Sequence, residues 1–277
     1  MSNKKNILIT GATSGIGFQT CKLLSPEKFN IIGTGSSKKS CANATKKLNS
    51  DHIQIFDCDL SDNNSVHQLS ETIKSQFKTI DILVNNAGTL YVKPQLDSKG
   101  IEKTFSVNYL GHYLLTRLLI KNILNSNSPR IINVSSVAHK RGVLDLSKLN
   151  DVNLTSFQAY SRSKLAQILF MKILSEKLHT KNVTISSLHP GLIGTNLLSK
   201  NGFLGNLLTV GHKLVGKSTT SGAKNVLFNI EAENTHNKYF SNSKNEKLLN
   251  HANDIDKARE LWDFSAKLCD LPIKLEI

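Results

Sequence analysis

The chain has 277 residues, 39% of them hydrophobic and 20% charged. That composition supplies a substantial core and excludes a disordered chain, and the length suits one α/β domain of about 200–250 residues with a short extension. The formal net charge is +14, but the lysines are dispersed rather than bunched, which reads as a solvated surface and gives no nucleic-acid motif.

The start, Met1-Ser2-Asn3-Lys4-Lys5, passes straight into an apolar run too short for a signal peptide. No stretch is long and apolar enough for a membrane span, so a cytoplasmic protein is expected. Cys21, Cys41, Cys58 and Cys269 form no C-x-x-C pair, which argues against a disulfide framework or a metal site. Short β-branched or Leu-rich runs predict strands over 6–10, 29–34, 53–58, 80–85, 130–135, 183–188 and 238–241. Between them, helical patterns cover 15–24, 40–48, 62–77, 100–124, 157–178, 220–231 and 254–271. This alternation predicts a single-domain α/β fold over 1–277: a doubly wound parallel sheet of about seven strands with helices on both faces. Ligands of such sheets bind at the carboxyl ends of the strands.

The first strand ends in Thr10-Gly11-Ala12-Thr13-Ser14-Gly15-Ile16-Gly17. Glycines there allow a tight turn and close approach, and the helix that follows offers N–H groups to a pyrophosphate. Gly11, Ser14, Gly15, Ile16 and Gly17 are therefore candidate cofactor contacts. The spacing resembles the TGxxxGxG signature of the short-chain dehydrogenase/reductase family.

That resemblance implies roles for further residues. Asp59 and Leu60, closing strand three, would lie near the adenine, with Asp57 beside them as a turn carboxylate. Asn86, Ala87 and Gly88 of Asn85-Asn86-Ala87-Gly88 would line the cofactor cleft. Pro190, Gly191, Ile193 and Thr195 of His189-Pro190-Gly191-Leu192-Ile193-Gly194-Thr195 would meet the nicotinamide. His189, His112 and His139 are read as structural, without metal-ligand spacing.

Tyr160-Ser161-Arg162-Ser163-Lys164 places Tyr160 and Lys164 on one helix face. A tyrosine titrates near pH 10, and a lysine ammonium one turn away is expected to lower that value. The resemblance makes Tyr160 the general acid/base and Lys164 its partner and a ribose ligand. It makes Ser136, with Ser135 as the fallback, the group that holds the carbonyl oxygen, and Asn108 the residue that completes a proton relay.

The stretches 105–116, 130–139 and 237–243, with Glu260-Leu261-Trp262, resemble the retinol dehydrogenase-like branch. Strand two ends without an acidic residue, in Gly35-Ser36-Ser37-Lys38. Ser36 and Ser37 can donate hydrogen bonds to a 2′-phosphate and Lys38 or Lys39 can supply it a positive charge, so NADP(H) is favoured and NAD(H) stays open, although Ser36 stands where that branch carries arginine. The implied reaction moves a hydride between nicotinamide and the carbonyl/alcohol carbon of an apolar substrate that is retinoid-, steroid- or lipid-like. A non-catalytic nucleotide-binding sensor or scaffold is the alternative, and the intact Asn108, Ser136, Tyr160 and Lys164 argue against it.

Residues 196–217 are expected to form a substrate lid. Phe203, Leu207, Val210 and Leu214 make an apolar stripe there, and Lys200, Lys213 and Lys217 flank it, which also suits peripheral contact with an anionic membrane. The apolar surplus on 100–124 and 157–178 suggests a homodimer.

Overall fold

The computed structural model describes residues 4–191 and 218–277, so the expected lid at 196–217 and the expected contacts Ile193 and Thr195 lie outside the described residues. From the first strand to the crevice, the elements are β1 (Lys5–Ile9), α1 (Gly15–Leu23), β2 (Phe29–Gly35), α2 (Lys38–Leu48), β3 (Ile53–Asp57), α3 (Asn63–Gln76) and β4 (Ile82–Asn85). There follow α4 (Lys103–Phe105), a π-helical turn (Ser106–Leu110), α5 (Gly111–Leu124), β5 (Arg130–Val134) and α6 (Ser156–Lys177). After β6 (Thr184–His189) come α7 (Thr219–Glu231), β7 (Lys238–Ser241), β8 (Lys244–Asn245) and α8 (Ile255–Leu268).

The strands form one sheet in the order β3-β2-β1-β4-β5-β6-β7-β8. All neighbours are parallel except β7 and β8. Alternate residues of each strand face opposite sides. Leu8, Leu83 and Ile131 point into the core under α3, α5 and α6. Ile7, Ile9, Val84 and Ile132 face the core that includes Cys21 of α1 and Val226 of α7. The strand order reverses between β1 and β4, which opens a crevice beyond their carboxyl ends.

Two elements differ from expectation. The sheet has an eighth strand: Asn242 (φ 49°) and Ser243 (φ 60°) make a two-residue left-handed turn that folds Lys244–Asn245 back on β7. The helix expected over 100–124 is interrupted by the π-helical turn at Ser106–Leu110.

The outer face of α5 and α6 is covered by α8 and the segment after it. Trp262 is fully buried, with its ring 5.1 Å from that of Tyr113 and 6.3 Å from that of Phe170. Arg117 lies 4.6 Å over the Trp262 ring. Its guanidinium donates to the Tyr113 hydroxyl at 2.6 Å and to the Pro272 carbonyl at 2.7 Å. The apolar surplus that suggested a homodimer therefore has its partner within the chain: Tyr109, Tyr113, Leu114 and Phe170 are all buried here.

Candidate active site

The crevice holds a cavity of about 740 Å³. Its floor is the turn after β1. Gly11 takes φ +69°, and a Cβ there would lie 2.9 Å from the Ala87 backbone. At Gly17 a Cβ would fall 2.4 Å from the Gly11 carbonyl oxygen, so Gly17 packs beneath the turn rather than lining the cavity. Gly15, φ +59°, has nothing within 4 Å of its Cβ position. Ser14 is the N-cap of α1, and its side chain makes no capping bond. The first-turn N–H groups of a helix have no partner within it. A diphosphate fits this cradle: close backbone packing below, open space and unspent donors above.

The turns around the cradle are joined by one buried hydroxyl. Thr10 Oγ1 accepts the N–H groups of Asn86 and Ala87, each at 2.9 Å. Its own proton has two acceptors in reach, Nε2 of His112 at 2.8 Å and the more distant Val84 carbonyl at 3.4 Å. Nδ1 of His112 is 2.9 Å from the Asn108 carbonyl oxygen and donates to it. Burial pushes the His112 pKa down to about 4, so the ring is neutral and bridges donor to acceptor. His112 thus has the structural role expected of it, but the relay it completes, from the end of β1 to the π-helical turn, joins residues that no local spacing relates.

Asn108 is buried behind the cavity. Its Oδ1 accepts from Thr89 N at 2.8 Å, and its Nδ2 donates to Thr89 O at 3.0 Å and Ser163 Oγ at 2.9 Å. A Cβ at Gly88 would lie 3.5 Å from Lys164 Nζ and 3.7 Å from Asn108 Oδ1, so these residues meet around one point.

The two serines after β5 separate cleanly. Ser135 is buried, and its hydroxyl donates to the Lys164 carbonyl at 2.9 Å. Ser136 lines the cavity with Tyr160 and caps a 3₁₀ turn (Val137–Arg141), its hydroxyl accepting from Ala138 N at 3.2 Å. Tyr160 and Lys164 project from α6, whose first turn carries a capping box of Thr155 and Gln158. Burial pushes the Tyr160 phenol up to about 12, against the downward pull of Ser136. The expectation that Lys164 lowers this pKa is overturned for the chain alone. Lys164 is itself buried, which brings its ammonium down to about 7, and Nζ donates to Val134 O at 3.0 Å and Gln167 Oε1 at 2.9 Å.

Of the other candidates, Gly11, Ser14, Gly15, Ile16, Ser36, Asp59, Leu60, Asn86, Ala87, Gly88, Pro190 and Gly191 line the same cavity. Ser37 and Lys38 do not: the Ser37 hydroxyl caps α2 by accepting from Ser40 N at 3.3 Å, and Lys38 begins that helix on the surface. One oxygen of Asp59 is spent on the turn to α3, accepting from the N–H and hydroxyl of Ser61 at 2.9 and 2.7 Å. Sequence reasoning missed Leu90, Val137, Lys140, Arg141 and Phe157, which line the cavity beyond Ser136. Their position between Ser136 and Tyr160, or just after Gly88, was the available signal.

A family model described as short chain dehydrogenase matches residues 5–202. Retinol dehydrogenase 13 of Homo sapiens is 35% identical over 281 residues, covering 96% of this chain and 85% of that protein. Short-chain dehydrogenase TIC 32 B, chloroplastic, of Brassica napus is 34% identical, covering 95% and 88%. Among solved structures, an uncharacterized protein from Mycobacterium Paratuberculosis superposes with a TM-score of 0.80 at 24% identity, covering 99% of this chain and 95% of that one. Salutaridine reductase from Papaver somniferum gives 0.68 at 20% identity, covering 86% and 99%. At these identities the structural likenesses speak for the fold alone.

Proposed function

The chain belongs to the short-chain dehydrogenase family of NAD(P)-dependent oxidoreductases, and from that premise we propose that it reduces or forms a carbonyl on an apolar substrate, with NADP(H) preferred. The observation that carries this reading is the meeting of Ser136, Tyr160 and Lys164 in the cavity that the phosphate cradle opens. When bound, the dinucleotide supplies hydride exchange at a carbonyl carbon. Gly15, Ser14 and the first turn of α1 would hold its diphosphate. Asp59 and Leu60 would flank the adenine.

The roles of the chain's own groups follow from their chemistry. Tyr160 is protonated at neutral pH, so it can give its phenol proton to a carbonyl oxygen that gains charge. Ser136, which lines the same cavity, donates a hydrogen bond to that oxygen. An ammonium has three donors, and Lys164 spends two on Val134 and Gln167. The third suits a ribose hydroxyl. Asn108 braces the loop at Thr89 and the start of α6 at Ser163.

The cofactor preference rests on the end of β2, where Ser36 lines the cavity and no acidic residue stands to repel a 2′-phosphate. Lys38 and the first turn of α2 add positive potential beside it. Relatives named retinol dehydrogenase support a retinoid- or lipid-like substrate. Measured kcat/KM for a panel of aldehydes and ketones, with NADPH and with NADH, tests both parts. Turnover with a ratio above one for NADPH is expected. A ratio at or below one removes the preference, and binding without turnover favours a sensor. Lys38→Glu should lower the ratio, with Lys39→Glu as the control for a general charge effect.

A further inference from the structure

Beyond Ser136 and Tyr160 the cavity reaches a wall that hydride and proton transfer do not require. Leu90, Val137 and Phe157 line it. Val137 and Phe157 remain 38% and 46% exposed. Apolar side chains left facing water beside the reacting groups make a seat for an apolar substrate body. The 3₁₀ turn that starts from Ser136 brings Lys140 and Arg141 to the same wall. Lys140 is already paired, with Nζ 2.5 Å from Oε1 of Glu246. Arg141 is exposed and makes no ion pair among the described residues. The carboxylate that lines this cavity, Asp59, follows β3 at the far end and is turned to Ser61. Of the two cations that the Ser136 turn brings to the cavity, Arg141 is therefore the one without an ion pair among the described residues. A guanidinium offers a planar fork that matches a carboxylate or phosphate.

We infer that Arg141 receives the anionic tail of an amphipathic carbonyl substrate. The aldehyde or ketone sits at Ser136 and Tyr160, the apolar body lies on Val137 and Phe157, and a terminal carboxylate or phosphate meets Arg141. This rests on the oxidoreductase reading above and narrows its substrate class. Ser136, Val137 and Arg141 come from one short turn and all line the cavity.

The test is steady-state kinetics of the full chain with NADPH on aliphatic ω-oxo acids, their methyl esters and the matching ω-oxo alkyl phosphates, at several chain lengths. The wild type should prefer an anionic member over the ester of equal length, chiefly through KM. The anion-to-ester ratio of kcat/KM should fall about tenfold in Arg141→Ala, as expected for loss of a charge-assisted hydrogen bond. Arg141→Lys should keep part of it, and Arg141→Glu should invert it. The acid and phosphate arms tell which anion is preferred. A ratio unchanged in Arg141→Ala, or a wild type that prefers the ester, overturns the inference while turnover of the esters keeps the oxidoreductase reading. Absence of nicotinamide-dependent turnover across neutral and anionic carbonyls overturns both.

Discussion

Tyr160 and Lys164 have opposite responses to the same burial: the phenol rises to about 12 and the ammonium falls to about 7. Desolvation disfavours whichever form is charged. The phenol is thus a proton donor throughout the physiological range, and Tyr160→Phe should cut kcat by about 10²–10⁴ while leaving dinucleotide affinity nearly intact. Retention of more than about a tenth of kcat would remove the assignment. Lys164 leads to a pH effect with a definite sign. Near pH 8 most of the free chain holds this amine neutral, and a bound anionic dinucleotide restores its proton. Binding of NADH should therefore take up a proton, and affinity should fall as pH rises from about 7. Titration calorimetry in buffers of different ionisation enthalpy reads this directly, and Lys164→Met should abolish the uptake. The pairing of Tyr160 and Lys164 was legible in sequence because a helix turns i and i+4 to one side. The direction of their shifts was not, because it depends on burial by residues far away in the chain.

At the level of elements, strand and helix centres follow from hydrophobic period, and most observed ends lie within two residues of expectation. Lys244–Asn245 and the π-helical turn escaped, since two exposed residues carry no hydrophobic pattern and one extra residue in a helical turn changes no local composition. That turn is tied to the sheet through His112, between Thr10 and the Asn108 carbonyl. Replacing His112 by Ala removes the bridge and leaves the Thr10 proton only the Val84 carbonyl at 3.4 Å, at a cost of about 1–3 kcal/mol. Urea unfolding should show the lower midpoint with an unchanged slope. Gly17→Ala is the matching test on the other side of the crevice. Its methyl meets the Gly11 carbonyl, a backbone atom that cannot move aside cheaply. Dinucleotide binding should weaken by at least tenfold in fluorescence titration, and a variant that binds like wild type would contradict the packing described here.

For the whole molecule, the covered face of α5 and α6 leads to a mass prediction. Among the described residues, no apolar stripe of those helices is left for a second copy, so sedimentation at micromolar concentration should give a monomer through this face. A stable dimer joined through this face would refute that. No described helix is long and apolar enough to cross a membrane. Removing residues 270–277 should strip Arg117 of its carbonyl partners Pro272 and Lys274, and Trp262 of its bond to the Ile273 carbonyl at 2.7 Å. The shortened chain should lose thermal stability and bind a hydrophobic dye. The arrangement also has a consequence in time. The ribosome completes Phe170 about a hundred residues before Pro272, or about 5–20 s at usual rates of synthesis. Through that interval the aromatic face has no cover of its own, and the nascent chain must either be shielded by a chaperone or stay short of its final packing. Slow codons or a stop between the codons for Phe170 and Pro272 would lengthen or fix that exposure, so this stretch of the message should bear on yield as much as the residues around Tyr160 bear on rate.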